Sequence, residues 1–380
     1  MSKKTRILYS IPNFDTAGSG KVVRDLVQGL DKTRFSPEIL VMHTKGAFFK
    51  EVEKLGAPIH VFPYETPYKP FWSFPFRLLK VVRFFKKHQW DIIHSWHWSS
   101  DFSEALAAKL AGIKFVYTKK AMGWGNKAWH WKSVLSSQVI AINETMMTAF
   151  FTPMPKVKAI YLPLGLDTHT YSPQAKNKAI QQAYNIGEQD FVVISVVNMV
   201  PVKDIEILME AVLKTQLPNI KLLLVGSDQS DYAKTLKVKY AKAHSQIIFT
   251  GKQSQVQDYL SVTDIFVIPT KEKGEGMPMA PVEAMAMGIP VLGSRVAGIT
   301  DILKGFENQI FEAGDTSALC QLLIDFNRME PLERQQIGSA MRKKVLEQYN
   351  FERFIGSRET LYENLMAKSL NKNMRTTQQL

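Results

Sequence analysis

The sequence has a single cysteine, Cys320, in 380 residues. A lone thiol can form neither an intrachain disulfide nor a paired-thiol metal site, so neither staples this fold. No run of 18 apolar residues occurs, which argues against a transmembrane helix. The opening MSKKTRILYSIP passes directly into a strand pattern, with no apolar leader core or cleavage site, so secretion is not expected and the cytosol is. Acidic residues are scarce in the first part of the chain. Residues 1–160 carry 24 Lys and Arg against 11 Asp and Glu, whereas residues 161–380 carry 24 of each. The whole excess of +13 therefore lies in the first part. Such a field concerns partners rather than fold: an anionic membrane surface, an anionic acceptor or nucleic acid. No nucleic-acid-binding motif accompanies the charge, so nucleic acid is not expected. The histidines show no metal-ligand spacing, and no metal is expected.

What is present is alternation. Strand-like runs occupy residues 6–11, 38–42, 59–62, 91–94, 114–118, 139–142 and 159–162, mostly with helical patterns between them. A second series follows at 191–197, 221–225, 247–250, 264–268 and 290–293. Alternation of this kind predicts α/β domains with parallel sheets covered on both faces. The polar link 172–190 separates the series. The expected division is 1–171, 172–350, a helix over 351–370 and a disordered polar tail at 371–380.

The segment 268–298, IPTKEKGEGMPMAPVEAMAMGIPVLGSRVAG, reads as strand end, loop, helix and strand. The loop holds Gly274 and Gly276; the helix pattern runs over residues 280–287, with Gly288 as its stop and Pro290 beyond. In open parallel sheets, ligands bind at the carboxyl ends of strands, where this loop lies. The helix start near Met279 offers unpaired N–H groups and a positive dipole end, suited to an anion. Glu275 and Glu283, with seven residues between them, are carboxylates that can accept from sugar and ribose hydroxyls. A nucleotide-sugar needs this combination; a plain strand–helix unit with two solvated glutamates is the bland alternative.

The stretch EGMPMAPVEAMAMGIPVLGS resembles the E-x7-E signature of retaining glycosyltransferases of the GT-B fold, above all glycosyltransferase family 4. The family context E-G-x-P-x-x-x-x-E-A-M-A-x-G-x-P-V is matched at Glu275, Gly276, Pro278, Glu283, Ala284, Met285, Ala286, Gly288, Pro290 and Val291. The resemblance implies two Rossmann-like domains facing a central cleft. It implies that Glu283 holds the donor ribose, while Glu275 and the segment after it, Pro278 and the N–H groups of Gly276, Met277 and Met279, meet the donor sugar and diphosphate.

Further segments carry the resemblance with departures. VVNMVPVKD keeps the diphosphate lysine as Lys203, but Asn198 stands where the family has arginine. The loss of that charge-assisted bond would cost about 1–3 kcal/mol at the phosphate site. Gly251 and Val256 match positions bordering the base. The loop DTAGSGK fits neither a Walker A loop nor a dinucleotide fingerprint; by resemblance Gly18 and Gly20 lie against the donor diphosphate, and an ordinary strand–helix turn is the alternative. In DIIHSWHW, His94 matches the first family histidine, Trp96 replaces the second, and His97 is displaced by one. In FVYTKKAMGW, Lys120 takes the place of a histidine near the donor sugar. The expected catalytic residues are Glu275, Lys203 and Lys120. His97, Lys119, Trp124 and His130 are the acceptor candidates, and the tryptophan-rich loop around them serves equally as a sugar platform or a membrane-facing loop.

Residues 71–90, FWSFPFRLLKVVRFFKKHQW, hold five basic residues, seven aromatics and no acid. Leu78, Val81, Val82 and Phe85 share one arc of a helix, with Arg77, Lys80, Arg83 and Lys87 opposite. Such a helix either packs its arc on the sheet or lies in a membrane interface. The resemblance as a whole implies transfer of a sugar, with retention, from a nucleotide-diphosphate-sugar to a sugar or lipid-linked acceptor, in envelope polysaccharide or glycolipid synthesis. The basic charge of residues 1–160 and the aromatics of 71–90 point to a cytoplasmic protein docking peripherally on the inner face of the cytoplasmic membrane, or else to an anionic acceptor. A binding protein that has lost catalysis and a nucleotide-sugar epimerase or phosphorylase of the same fold are the rivals.

Overall fold

The computed structural model describes residues 3–377, apart from 16, 47, 124, 244 and 272–274. The chain forms two compact units, one running to Leu164 and resuming at Glu352, the other spanning Gly165–Phe351.

In chain order the first unit contains β1 (Thr5–Ser10), α1 (Ala17–Gly29), β2 (Phe35–Val41), α2 (Phe49–Glu53), β3 (Ile59–Val61), α3 (Phe74–His88), β4 (Ile92–Ser95), α4 (Ser103–Ala111), β5 (Lys114–Lys119), α5 (Ala128–Leu135), β6 (Gln138–Ala141), α6 (Glu144–Met146) and β7 (Ala159–Tyr161). Its seven strands are ordered β3-β2-β1-β4-β5-β6-β7, every neighbouring pair parallel. The second unit contains α7 (Lys178–Ala183), β8 (Phe191–Val196), α8 (Ile205–Lys214), β9 (Ile220–Val225), α9 (Asp231–Lys239), β10 (Ile247–Gly251), α10 (Val256–Leu260), β11 (Ile265–Ile268), α11 (Met279–Ala286), β12 (Val291–Ser294), α12 (Ile299–Ile302), β13 (Ile310–Phe311), α13 (Thr316–Arg328) and α14 (Pro331–Gln348). Its sheet, also parallel, is ordered β10-β9-β8-β11-β12-β13. The last helix, α15 (Phe351–Thr377), returns to the first unit.

Parallel strands buried on both faces must be apolar throughout. IFVI of β11 meets that demand and is buried at every position; FVVISV of β8 and IKLLLV of β9 meet it apart from Ser195 and the half-buried Lys221. Both strand orders reverse direction between neighbours: at β1 and β4 in the first unit, at β8 and β11 in the second. Connections leave such a pair in opposite directions, so the loops after the two strands open a crevice at their carboxyl ends.

The structure departs from the sequence expectations in four places. The sequence puts the domain boundary at residues 171 and 172; the chain passes between units at Leu164. The reason is local pairing: Leu166 N–H donates to Tyr349 O at 2.9 Å, and Leu166 bridges to Asn350, so residues 165–171 belong to the second unit. The tail 371–380, expected to be disordered, is helical to Thr377, since no glycine or proline follows Gly356 to stop α15. Strand β13 has no counterpart in the sequence reading because two residues carry no periodicity. Finally, α1 starts at Ala17, which puts Gly18 and Gly20 inside a helix rather than in a loop.

Helix α3 packs its arc inward: Leu78, Val81, Val82 and Phe85 are all buried. Arg77 donates to the carbonyls of Pro67, at 2.7 Å, and Pro70, at 3.1 Å, and so pins the preceding turn. Lys80, Arg83, Lys86 and Lys87 are exposed, together with Phe71 (67%), Trp72 (79%) and Phe76 (70%). Among the described residues no helix is long and apolar enough to cross a membrane.

Candidate active site

At the β8/β11 crevice, Lys203 and Glu275 come together. Lys203 ends the 3-10 turn Pro201–Lys203 after β8, and Glu275 lies in the loop after β11. Their side chains form a direct ion pair, Nζ to Oε1, with 22% and 15% of their surfaces exposed. A pair so little solvated attracts more strongly than one on the surface. Thr270 Oγ1 donates to the same carboxylate oxygen at 2.8 Å, and Thr270 is fixed in turn by Ser294 Oγ on its carbonyl at 2.6 Å.

The two loops are also tied through their backbones. Lys271 N–H donates to Val202 O at 2.9 Å, and Lys271 Nζ reaches Asp204 at 3.1 Å. Asp204 has a left-handed backbone, φ 47°, unusual for a residue other than glycine and held here by its neighbours. Burial raises its carboxyl pKa, with Lys271 opposing. Behind Glu275 the chain is equally constrained. Glu275 N–H donates to Ala297 O at 2.9 Å. A β-carbon on Gly298, φ +80°, would fall 2.4 Å from Glu275 O, so only glycine permits this approach.

Gly276, Met277 and Pro278 are buried and lead into α11, whose N-cap is Pro278 and first helical residue Met279. Glu283, one turn further, is half-buried. The far end of α11 is held firmly: Arg342 donates to Ala286 O, and a β-carbon on Gly338 would fall 1.8 Å from Gly288 O. Asn198, after β8, is exposed and makes no side-chain hydrogen bond among the described residues. Gly251 ends β10 with φ +73°, and its carbonyl accepts from Gly226 N–H at 3.0 Å; Val256 opens α10. These two lie two strands from the Lys203–Glu275 pair.

In the first unit, Gly18 has open space around it, while Gly20 packs against the Phe14 and Phe48 rings, where a β-carbon would sit 3.0 and 3.1 Å away. Packing explains Gly20; Gly18 alone leaves room for a ligand. Lys120 is largely enclosed. Its Nζ donates to Ser19 Oγ at 2.8 Å and to Trp96 O, tying the start of α1 to the ends of β4 and β5. Burial, with Lys132 nearby, pushes its pKa down to about 7. Lys119 turns inward: Nζ donates to Gly123 O at 2.8 Å and sits 4.6 Å from the centre of the Phe150 ring. That ammonium is engaged with its own fold. His130 is exposed and stacked on Trp129. Trp124 and Gly274 lie outside the described residues.

His97 is buried after β4, its ring stacked on exposed Trp98. His94 is structural: Nδ1 meets Tyr362 Oη at 2.6 Å and Nε2 meets Thr118 Oγ1 at 2.7 Å. The sequence reading did not find Thr270, Ser19 or Glu65, which contact Glu275, Lys120 and His97 respectively. Nothing in their local spacing marks them.

The family model "Glycosyl transferases group 1" matches residues 176–344, and "Glycosyltransferase Family 4" matches residues 16–170. The N-acetyl-alpha-D-glucosaminyl L-malate synthase of Bacillus anthracis is 30% identical over 196 residues, 50% of each chain. The lipopolysaccharide 1,2-N-acetylglucosaminetransferase of Salmonella typhimurium is 26% identical over 227 residues, 56% of this chain and 58% of its own. The chain thus spans about half the length of these curated relatives. Among solved structures, a glycosyltransferase from Rickettsia africae superimposes with a TM-score of 0.83 at 18% identity, covering 96% of this chain and 99% of its own. Anabaena Alr3699/HepE in complex with UDP and glucose gives 0.79 at 19% identity, covering 94% and 99%.

Proposed function

The chain belongs to the GT-B glycosyltransferases of group 1 and family 4, and from that premise we propose that it transfers a glycosyl group from a nucleotide-diphosphate-sugar to an acceptor hydroxyl with retention. The observation that carries the reading is the Lys203–Glu275 pair at the β8/β11 crevice, beside the N-terminus of α11. Lys203 is a cation placed for a diphosphate, and the first N–H groups of α11 add positive potential. Glu275 accepts from hydroxyls of the donor sugar, and Glu283 from the ribose. As the anomeric carbon–oxygen bond breaks, charge grows on the leaving diphosphate, where Lys203 and the helix end stabilise it. The acceptor oxygen bonds to the anomeric carbon on the face the diphosphate leaves. Its proton passes to the departing phosphate oxygen, so no protein base and no metal is required. The UDP-bound neighbour supports a nucleotide donor, and the lipopolysaccharide transferase among the relatives supports an envelope acceptor.

Asn198 in place of arginine favours one rival, a protein that binds the donor without turning it over. A thermal-shift screen of nucleoside diphosphates and their sugars, followed by NMR of the product, tests both readings. Donor-dependent stabilisation with an anomerically retained product is expected. Stabilisation without product would support the binding protein; an inverted product would overturn retention.

We further propose a cytoplasmic location with peripheral docking on an anionic bilayer. Exposed Phe71, Trp72 and Phe76 beside Lys80, Arg83, Lys86 and Lys87 support it, since aromatics suit the headgroup region and cations suit anionic lipid.

A further inference from the structure

The loop after β4 contains a contact that the reaction outlined above does not use. His97 Nδ1 accepts the backbone N–H of Ser99 at 2.9 Å, so this nitrogen bears a lone pair and no proton. Glu65 Oε1 lies 3.1 Å from the same nitrogen. The His97 side chain is buried and that of Glu65 is 13% exposed; the Glu65 Oε1 atom itself is buried with no hydrogen-bond donor among the described residues, while the Ser99 hydroxyl bonds to the carboxyl group. A carboxylate oxygen facing an imidazole lone pair, away from water, would be repelled. A protonated carboxyl turns the same contact into a hydrogen bond.

We propose that Glu65 is a positioning residue: its carboxyl proton is shared, beside the Ser99 N–H, with the Nδ1 lone pair of His97, and the two donors together hold His97 as the tautomer carrying its proton on Nε2, whose N–H is presented to an acceptor oxygen at the end of β4. This rests on the reading of the first unit as the acceptor-binding part. Nε2 makes no hydrogen bond among the described residues, so it is available. The ring is held between Tyr64, edge-on at 5.9 Å, and Trp98, stacked at 5.9 Å.

Burial favours a neutral dyad, against the pull of Lys132. Buried Lys132 of α5 donates to Ser99 O at 3.1 Å. Glu104 of α4, also buried, accepts from Ser95 Oγ at 2.7 Å and from Ser10 Oγ. Lys132 favours the charged form of Glu65, and Glu104 and Asp101 oppose it. Burial pushes the Glu65 pKa up to about 8, and burial with Lys132 and Lys120 pushes that of His97 down to about 3.

The test is nitrogen NMR of the full chain labelled on its eight histidines, with the His97 signals assigned by their loss in His97→Gln. An unprotonated Nδ1 and a protonated Nε2 between about pH 5 and 7 are expected. Glu65→Gln, whose amide N–H can still donate to Nδ1, should keep the tautomer and the turnover. Glu65→Ala leaves Nδ1 the Ser99 N–H but removes the carboxyl donor, so it should raise the population of the other tautomer and lower kcat/KM about tenfold through the acceptor KM, with donor affinity unchanged. A protonated Nδ1 in the unaltered protein, or an unmixed tautomer in folded Glu65→Ala, would overturn the proposal. Absence of glycosyl transfer in the unaltered protein would sink the functional reading and the acceptor role together, while the tautomer measurement still decides the dyad.

Discussion

Tyr362 Oη lies 2.6 Å from His94 Nδ1, although 268 residues separate the two in the chain. The same hydroxyl is 3.0 Å from Tyr9 Oη, and both partners are buried. One side chain of α15 therefore satisfies polar groups on β1 and β4. Tyr362→Phe would leave a buried imidazole nitrogen and a buried phenol without that partner. The expected loss is about 1–3 kcal/mol, read as a lowered Tm, with nucleotide affinity unchanged. An unaltered Tm would show that the contact contributes nothing.

Lys203→Ala should reduce turnover by on the order of a hundredfold, because the lost cation faces a leaving group gaining charge. Glu283→Ala should instead weaken nucleotide binding about tenfold, the loss of one hydrogen-bonding partner. Calorimetric titration with a nucleoside diphosphate, alongside steady-state kinetics, separates the two. Equal effects of both substitutions on both quantities would break the division of roles.

Chelation should leave the rate unchanged, since Lys203 and the α11 N-terminus supply the positive charge required by the proposed mechanism. Activity abolished by EDTA and restored by magnesium or manganese would require a different account of the phosphate site.

Liposome co-sedimentation addresses docking. Binding to anionic but not neutral vesicles, weakened by salt, is the expected result; the Debye length falls from about 10 Å at 0.1 M to about 3 Å at 1 M. Changing exposed Lys80, Arg83, Lys86 and Lys87 to Gln should abolish binding, since each cation near an anionic surface contributes about 1 kcal/mol. Arg77 is left out of the set because it pins the turn before α3. No sedimentation at low salt would rule docking out and leave the basic face to an anionic acceptor.

Stability should vary with pH in two opposed windows. Glu65 is raised from 4.5 to about 8, so between these values the folded chain holds a proton that the unfolded chain has lost, and stability falls as pH rises. Lys120 is lowered from 10.5 to about 7, so between these the unfolded chain holds the extra proton, and stability rises with pH. Glu65→Gln should flatten the first slope and Lys120→Met the second, measured as Tm against pH. A slope unchanged by its substitution would assign that window to other groups.

Legibility from sequence followed locality. The strands β8, β9 and β11 are apolar runs interrupted only at Ser195 and Lys221, and burial on both faces is what such runs require. Lys203 and Glu275 could be named because each sits in a dense local motif, but their direct pairing is a product of topology, since it depends on β8 and β11 being neighbours. Glu65 stands in YETPYKP, where a glutamate beside prolines reads as exposed loop. Its burial comes from packing that no window of sequence contains. Lys119, an acceptor candidate by its place in the motif, has its ammonium 5.7 Å from the centre of the Trp129 ring and 4.6 Å from that of Phe150, a setting its sequence neighbours do not reveal. The domain boundary shifted by seven residues because one backbone pairing, Leu166 with Tyr349, outweighs a change in composition.

The return of α15 also sets a timetable for synthesis. Ribosomes add about 5–20 residues per second, so His94 waits roughly 10–50 s for Tyr362 to be made. Throughout that interval the sheet of the first unit carries an imidazole with one nitrogen lacking its Tyr362 partner, and the whole second unit emerges in the meantime. A chain released before α15 is complete would present finished-looking strands around an unsatisfied polar interior, the kind of species that quality-control chaperones and proteases intercept.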